Sequence, residues 1–211
     1  MEEFLQTLLN WRYFQGPNPA IDAKLDVGNS KLVIITGDNA CGKSFIRKLV
    51  QCLCSKENLE CIHLSQQGRA TSGIMRAMIY GSEEDESTGY ISAKTINSAI
   101  NTSRLREKPH SLFFDEPEIG LSENNSAAVG IKLKEFFDNP PANLQFAFVA
   151  THCRTLVRYL GINHWHLRLG GSPDLQNWLE APIVPGNLEQ LDELSLKKWQ
   201  QIEKLIKMKI S

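Results

Sequence analysis

The chain has 211 residues, of which 42% are hydrophobic and 22% are charged, with a formal net charge of −1. Such a chain holds enough apolar material for one core, so residues 1–211 are expected to form a single domain. The balanced charge provides no general attraction for nucleic acid, so DNA is expected only as an indirect partner. No apolar run approaches the roughly 20 residues that cross a bilayer, and membrane insertion is not expected.

The cysteines indicate the compartment. There are five, an odd number without a Cys-x-x-Cys pair: Cys41, Cys52, Cys54, Cys61 and Cys153. This pattern is not that of a disulfide framework or a zinc site, so we expect a cytoplasmic protein. Cys41 precedes a predicted helix, whose amides would lower the pKa of its thiol. The favoured interpretation is nevertheless a small side chain that simply fits there.

Strand-like and helix-like segments alternate along the chain. Residues 1–30 combine an amphipathic start with a connection rich in glycine, proline and asparagine. Apolar runs predict strands at 31–36, 61–64, 111–114, 146–150 and 164–169, and helices are predicted at 43–54, 91–100, 126–138 and within 187–211. This alternation predicts an α/β three-layer sandwich, in which helices cover both faces of a mainly parallel sheet.

The first predicted strand is followed by the pattern Gly-x-x-x-x-Gly-Lys-Ser, which opens the first predicted helix. Its residues are Gly37, Asp38, Asn39, Ala40, Cys41, Gly42, Lys43 and Ser44. The glycines let the backbone wrap the phosphates of a nucleotide, and the amides at the helix start point at them. We expect Lys43 to bring a positive charge to the phosphates and Ser44 to bind Mg²⁺. Phe45, the next residue, belongs to the same expected nucleotide site.

Two acidic residues end the third predicted strand. Asp115 and Glu116 follow Phe113 and Phe114, so a buried strand would deliver both carboxylates to the edge where the nucleotide is expected. Asp115 is suited to the Mg²⁺ shell. Glu116 is suited to act as the general base that orients the attacking water.

The segment from Asp115 to Leu121 resembles the Walker B motif and following loop of ABC-type ATPases. It is most similar to the soluble, non-transporter branch that includes the RecF-like and overcoming-lysogenization-defect-like P-loop ATPases. In that branch a histidine and a proline commonly follow the leucine, whereas this chain has Ser122 and Glu123. The resemblance implies a P-loop NTPase fold. Its helical insertion, at about residues 67–108, is shorter than in transporter ATPases.

The resemblance implies further site residues. His152 follows the fourth predicted strand, as does the switch histidine that contacts the γ-phosphate. Gln66, with Gln67 as a rival, corresponds to the glutamine that contacts Mg²⁺ and water. Ser87 and Gly89 are the best candidates for the signature segment, which binds the γ-phosphate held by the opposite subunit, although its second glycine and its glutamine are missing.

The function implied is an ATPase in which two subunits close head to tail around ATP and Mg²⁺. The closing would drive a separate effector protein, in a role such as DNA processing or defence. Three alternatives stay open. They are the ATP-binding subunit of a membrane transporter, a small-molecule P-loop kinase with Arg104 and Arg106 as lid candidates, and a module that binds ATP without turnover.

Two further groups of residues, one of aromatic residues and one of histidines, are weaker candidates for a binding role. Tyr13, with Trp11 and Phe14 as rivals, could stack on adenine, although core packing of an amphipathic helix is the favoured explanation. His164 and His166 share one face of a predicted strand, but two ligands without a third make a poor metal site.

Overall fold

The strands form one sheet in the computed structural model, which describes residues 2–9, 20–21, 27–38, 41–64, 88–169 and 174–207. The strands are β1 (Ala20–Ile21), β2 (Leu32–Gly37), β3 (Glu60–Leu64), β4 (His110–Asp115), β5 (Leu144–Thr151) and β6 (Trp165–Leu169). Their order in the sheet is β1-β6-β2-β5-β4-β3. The pairs from β6 to β3 are parallel, and the two-residue β1 is antiparallel to β6. The predicted parallel sheet is therefore confirmed, with all five predicted strands present.

Helices cover both faces of this sheet. They are α1 (Glu2–Leu9), α2 (Lys43–Lys56), α3 (Thr88–Leu105), α4 (Glu123–Asp138), α5 (Arg154–Leu160), α6 (Leu175–Glu180) and α7 (Leu188–Lys207). One core cluster joins the sheet to α1 and α2, and a second joins its opposite face to α3, α4, α5 and α6. The α/β three-layer arrangement follows. None of the described helices is long and apolar enough to cross a membrane.

β2 shows why the central strands are apolar throughout. All six of its residues are buried. Leu32 and Ile34 belong to one core cluster, whereas Val33 and Ile35 belong to the other. Because side chains alternate across a strand, burial on both faces demands an uninterrupted apolar run. That run is what made the strand predictable.

The helix after β4 begins earlier than predicted because Ser122 caps it. The Ser122 hydroxyl accepts a hydrogen bond from the Asn125 amide, and Glu123 lies in the first turn, where a negative charge is favourable. Ser122 and Glu123 therefore have a structural role at the start of α4.

A close helix contact joins α4 to α5. A Cβ added to Gly130 would lie 2.5 Å from the Leu156 carbonyl oxygen and 2.9 Å from the Tyr159 Cβ. Only glycine lets the helices approach this far. The sequence did not predict α5, because a seven-residue helix spans too few turns to show periodicity.

Of the predicted insertion at 67–108, the described part begins at residue 88 and includes α3. α3 is longer at both ends than the predicted 91–100. The C-terminal helix predicted within 187–211 is described over Leu188–Lys207.

Candidate functional site

The described site residues that follow β2, β4 and β5 lie at the carboxyl edge of the sheet. β2, β5 and β4 are parallel neighbours, with Thr36 in register with Thr151 and Asp115 in register with Ala150. Their carboxyl ends therefore lie side by side. Because β5 lies between the other two strands, His152 follows a strand end located between the 37–44 loop and Glu116.

Steric constraints explain why positions 37 and 42 of the 37–44 loop are both glycine. Gly42 has φ 106°, a left-handed conformation that glycine adopts without strain, and α2 begins directly after it. A Cβ on Gly37 would lie 2.4 Å from Cys41 Sγ and 2.9 Å from Leu169 Cβ. Within the loop, the Cys41 amide donates to the Asp38 carbonyl over 3.4 Å. Asn39 and Ala40 lie outside the described residues.

Lys43 directs its charge back into this loop. Its side chain is buried, and Nζ donates to the carbonyl oxygens of Gly37 at 2.9 Å and Asp38 at 3.1 Å. The same Nζ lies 3.7 Å from Glu116 Oε1. An anion that bound at the loop would therefore meet a buried ammonium group that already contacts backbone carbonyls and a carboxylate.

Arg47 of α2 relates the two predicted Mg²⁺ ligands, Ser44 and Asp115, to one another. Ser44 is exposed in the first turn of α2, and Arg47, three residues later, lies on the same side of the helix. Arg47 Nε is 3.8 Å from Asp115 Oδ2, which places Asp115 beside this side of α2. Burial raises the pKa of Asp115, and the neighbouring Arg47 opposes that rise. Sequence reasoning missed Arg47, which no motif singles out.

Glu116 is held by its backbone as well as by its side chain. Its amide donates to the Ala150 carbonyl over 2.8 Å, and its φ is 51°, a left-handed value that is uncommon for a residue other than glycine. This conformation turns the chain sharply after β4. The carboxylate consequently faces His152 and Lys43 instead of continuing along the strand.

Glu116 and His152 form an acid–imidazole pair. Glu116 Oε1 lies 3.1 Å from His152 Nδ1. The hydrogen bond with His152 lowers the pKa of Glu116, and the same bond raises the pKa of His152. Both shifts favour the charged forms. Near neutral pH the pair therefore retains carboxylate character on Glu116, as a general base requires.

A second carboxyl group is buried beside this pair. Glu118 is 6% exposed, and its Oε1 accepts a hydrogen bond from the Thr151 hydroxyl over 2.5 Å. The Thr151 hydroxyl in turn accepts from the Cys153 amide over 2.9 Å. Burial raises the pKa of Glu118. Sequence reasoning quoted Glu118 within the motif but assigned it no role.

An arginine lies on the other side of the 37–44 loop. Arg168 Nη2, from β6, is 3.7 Å from Asp38 Oδ1, and its guanidinium carbon lies 5.6 Å from the centre of the Trp178 ring. Arg154 approaches the same ring at 5.7 Å and donates to the Ala181 carbonyl at the end of α6. The short helix α6 thus covers Arg168 next to the loop.

Gly89 reaches the same edge but does not join the Lys43–Glu116 cluster. A Cβ added to Gly89 would lie 3.2 Å from Leu121 Cδ2, and Ser92 donates to the Ile119 carbonyl over 2.9 Å. The start of α3 is therefore attached to the 116–121 loop that follows Glu116. Gln66, Gln67 and Ser87, like the adenine candidates Trp11, Tyr13 and Phe14, lie outside the described residues.

Two predicted features have structural roles at the amino edge and in the core. Arg106 forms a 2.8 Å ion pair with Glu60, the first residue of β3, and Arg104 lies over Phe136. The Arg106–Glu60 pair places the end of α3 at the opposite edge of the sheet from the 37–44 loop.

His164 hydrogen-bonds Ser30 at 2.7 Å, and His166 hydrogen-bonds Thr36 at 2.6 Å. Within the described ranges no group of three metal-ligating side chains occurs.

Cys41 fits the favoured interpretation of a small side chain that is accommodated in the loop, and its thiol pKa is raised instead of lowered. The physical reason is that the side chain is packed against Gly37, and this burial outweighs the hydrogen bond from the Lys43 amide and the charge of Lys43. All five cysteines are free thiols.

Comparison with protein-family models gives no match, and comparison with curated proteins gives none either. The geometry alone therefore describes the site. It combines a glycine-bounded loop at a helix start, a buried lysine, an exposed hydroxyl and an acid–imidazole pair.

Proposed function

We propose that the chain is an ABC-type ATPase with a P-loop NTPase fold, of the soluble branch that includes the RecF-like and overcoming-lysogenization-defect-like enzymes. The observation that carries the proposal is the position of Lys43. Its Nζ donates to the carbonyls of Gly37 and Asp38 and lies 3.7 Å from Glu116, whose carboxylate also contacts His152. A cation, a loop for phosphate and a general base are thus in mutual reach.

The residues of the loop fit ATP, and those beside it fit Mg²⁺. The left-handed Gly42 leads directly into a 14-residue helix, whose first-turn amides are suited to phosphate oxygens. The exposed Ser44 hydroxyl and the Asp115 carboxylate are hard oxygen ligands, the kind that Mg²⁺ prefers. Bound there, Mg²⁺ would neutralise phosphate charge. Lys43 would add its own charge at the loop.

Each residue around the phosphates has a separate task in this proposal. Glu116 orients a water molecule and accepts its proton, because its hydrogen bond with His152 favours the carboxylate form. His152, in its charged form, stabilises negative charge that develops on the phosphoryl group. Catalysis would then rest on positioning and charge neutralisation.

The rest of the proposal concerns assembly. Two subunits would close head to tail around ATP, each contributing the start of α3 near Gly89 to the other's site, and the cycle would drive a separate cytoplasmic effector. The attachment of α3 to the 116–121 loop supports this role, because it joins that helix start to the hydrolytic residue. The kinase alternative is disfavoured, because Arg106 is paired with Glu60 at the opposite edge.

The test measures ATP binding, ATP hydrolysis and molecular mass for the wild type, Lys43→Ala and Glu116→Gln. Lys43→Ala is expected to weaken ATP affinity by about 10- to 100-fold, since a hydrogen bond to a charged group contributes about 1.5–3 kcal/mol. Lys48→Ala is the matched control, because Lys48 is exposed on the same helix. Glu116→Gln is expected to bind ATP, to lose hydrolysis and to accumulate as a dimer.

Two results would contradict the proposal in different places. Unchanged ATP affinity in Lys43→Ala would exclude the loop as the phosphate site. A Glu116→Gln protein that stays monomeric with saturating Mg-ATP would exclude the self-dimer and leave nucleotide binding in place.

A further inference from the structure

We propose that Glu118 is a positioning residue for the Glu116–His152 pair and acts through the Thr151 hydroxyl. The effect of Glu118 on catalysis rests on the proposed function. The link between Glu118 and the turn that carries His152 can be measured without ATP. Glu118 and Thr151 are 33 residues apart in the chain and meet only because β4 and β5 are neighbours.

The Thr151 hydroxyl joins three groups. It donates to Glu118 Oε1 over 2.5 Å and accepts from the Cys153 amide over 2.9 Å. These two bonds bracket His152, which lies between Thr151 and Cys153 in the chain. Glu118 therefore restrains the turn that carries the imidazole, without contacting the imidazole itself.

The loop that carries Glu118 is itself restrained. The Ile119 amide donates to the Glu116 carbonyl over 3.1 Å, and the Leu121 amide donates to the Glu118 carbonyl over 3.0 Å. Ser92 from α3 donates to the Ile119 carbonyl. Glu116 and Glu118 thus belong to one hydrogen-bonded loop. A displacement of that loop moves Glu116, the partner of His152, together with Glu118, the partner of Thr151.

Stability alone does not account for Glu118. Its side chain is almost fully buried, and Oε2 has no hydrogen-bond partner among the described residues. A buried carboxyl oxygen without a partner costs free energy, and the cost is larger when the group is charged. A glutamine would keep the bond from Thr151 without the charge. What the acid adds is a second negative group beside His152, and its charge helps to raise the pKa of that imidazole.

The experiment compares two threonines whose hydroxyls both donate to a glutamate, one inside the site and one outside it. Thr151→Val removes the bond to Glu118, and Thr155→Val removes a 2.9 Å bond from a threonine to Glu123, outside the site. Two readouts are used. The first is the pKa of His152, followed by NMR and assigned with a His152→Asn protein. The second is ATP hydrolysis, for which kcat and KM are determined separately.

Thr151→Val is expected to lower kcat by about 10- to 100-fold with KM almost unchanged, because it displaces the imidazole and not the phosphate loop. Thr151→Ser keeps the hydroxyl and is expected to retain most of kcat. Glu118→Gln keeps the volume and the acceptor, so it is expected to fold and to lower the pKa of His152. The charged groups around His152 are Glu116, Glu118 and Lys43, and only one of them changes in this variant.

The positioning role is overturned if Thr151→Val and Glu118→Gln both leave the pKa of His152 at its wild-type value. It is also overturned if Thr155→Val lowers kcat as much as Thr151→Val. A wild type that hydrolyses no ATP would instead overturn the proposed function, and the NMR readout would still decide whether Glu118 controls His152.

Discussion

Glu116 Oε1 lies 3.1 Å from His152 Nδ1 across the carboxyl ends of two neighbouring strands. The two residues are 36 positions apart in the chain. β4 ends one residue before Glu116, and β5 ends one residue before His152. The left-handed conformation of Glu116 turns its carboxylate toward the imidazole. Each group favours the charged form of the other.

The first prediction concerns pH. The raised pKa of His152 gives stability that is complete below its ordinary value of 6.5 and is lost as pH rises through the folded value. The lowered pKa of Glu116 gives stability that is complete above its ordinary value of 4.5 and is lost as pH falls through the folded value. The pair should therefore stabilise the fold most between about pH 4.5 and 6.5. A double-mutant cycle with Glu116→Gln and His152→Asn is expected to give a coupling of about 0.2–1 kcal/mol there, because both groups are partly exposed. A coupling that grows above pH 8 would contradict the assignment.

The second prediction concerns thiol reactivity. Because burial raises the pKa of Cys41, this thiol should be alkylated more slowly at pH 7 than the exposed Cys52. The comparison is internal, since both thiols lie in one protein and can be followed by peptide mass after timed iodoacetamide treatment. Faster labelling of Cys41 than of Cys52 would show that the loop thiol is activated by the helix amides.

The third prediction concerns the close contact between α4 and α5. Gly130→Ala should lower the free energy of unfolding by about 1–3 kcal/mol, because the new methyl group would meet the Leu156 carbonyl. Gly186→Ala is the matched control, since a Cβ there has nothing within 4 Å. Denaturant unfolding of both variants gives the comparison. Equal stability of the two would mean that α4 and α5 can separate without cost.

The fourth prediction concerns Arg168. Arg168→Lys keeps the charge near Asp38 but loses the planar group over Trp178, so the free energy of unfolding should fall by about 0.5–2 kcal/mol. Arg106→Lys is the control, because the Arg106–Glu60 pair is more exposed and should contribute less than about 1 kcal/mol. A larger loss for Arg106→Lys would contradict the importance assigned to the Trp178 contact.

The elements that could be predicted are those whose signals are local. β2, β4 and β5 are buried on both faces, which requires continuous apolar runs that stand out in the chain. The 37–44 loop could likewise be located, because glycine spacing and a helix start are properties of consecutive residues. α5 and the two-residue β1 could not be predicted, since each is too short for a periodic pattern.

By itself, the sequence determined the chemistry available at each strand end: a lysine and a serine after Gly42, two acids after β4 and a histidine after β5. Only the tertiary structure decided which of these groups meet. The order β2-β5-β4 brings His152 to Glu116 and buries Glu118 against Thr151, and the pairing of β6 with β2 brings Arg168 beside Asp38. The physical reason is that strand order is decided by packing between residues distant in the chain, whereas the conformation of a loop depends mostly on its own residues.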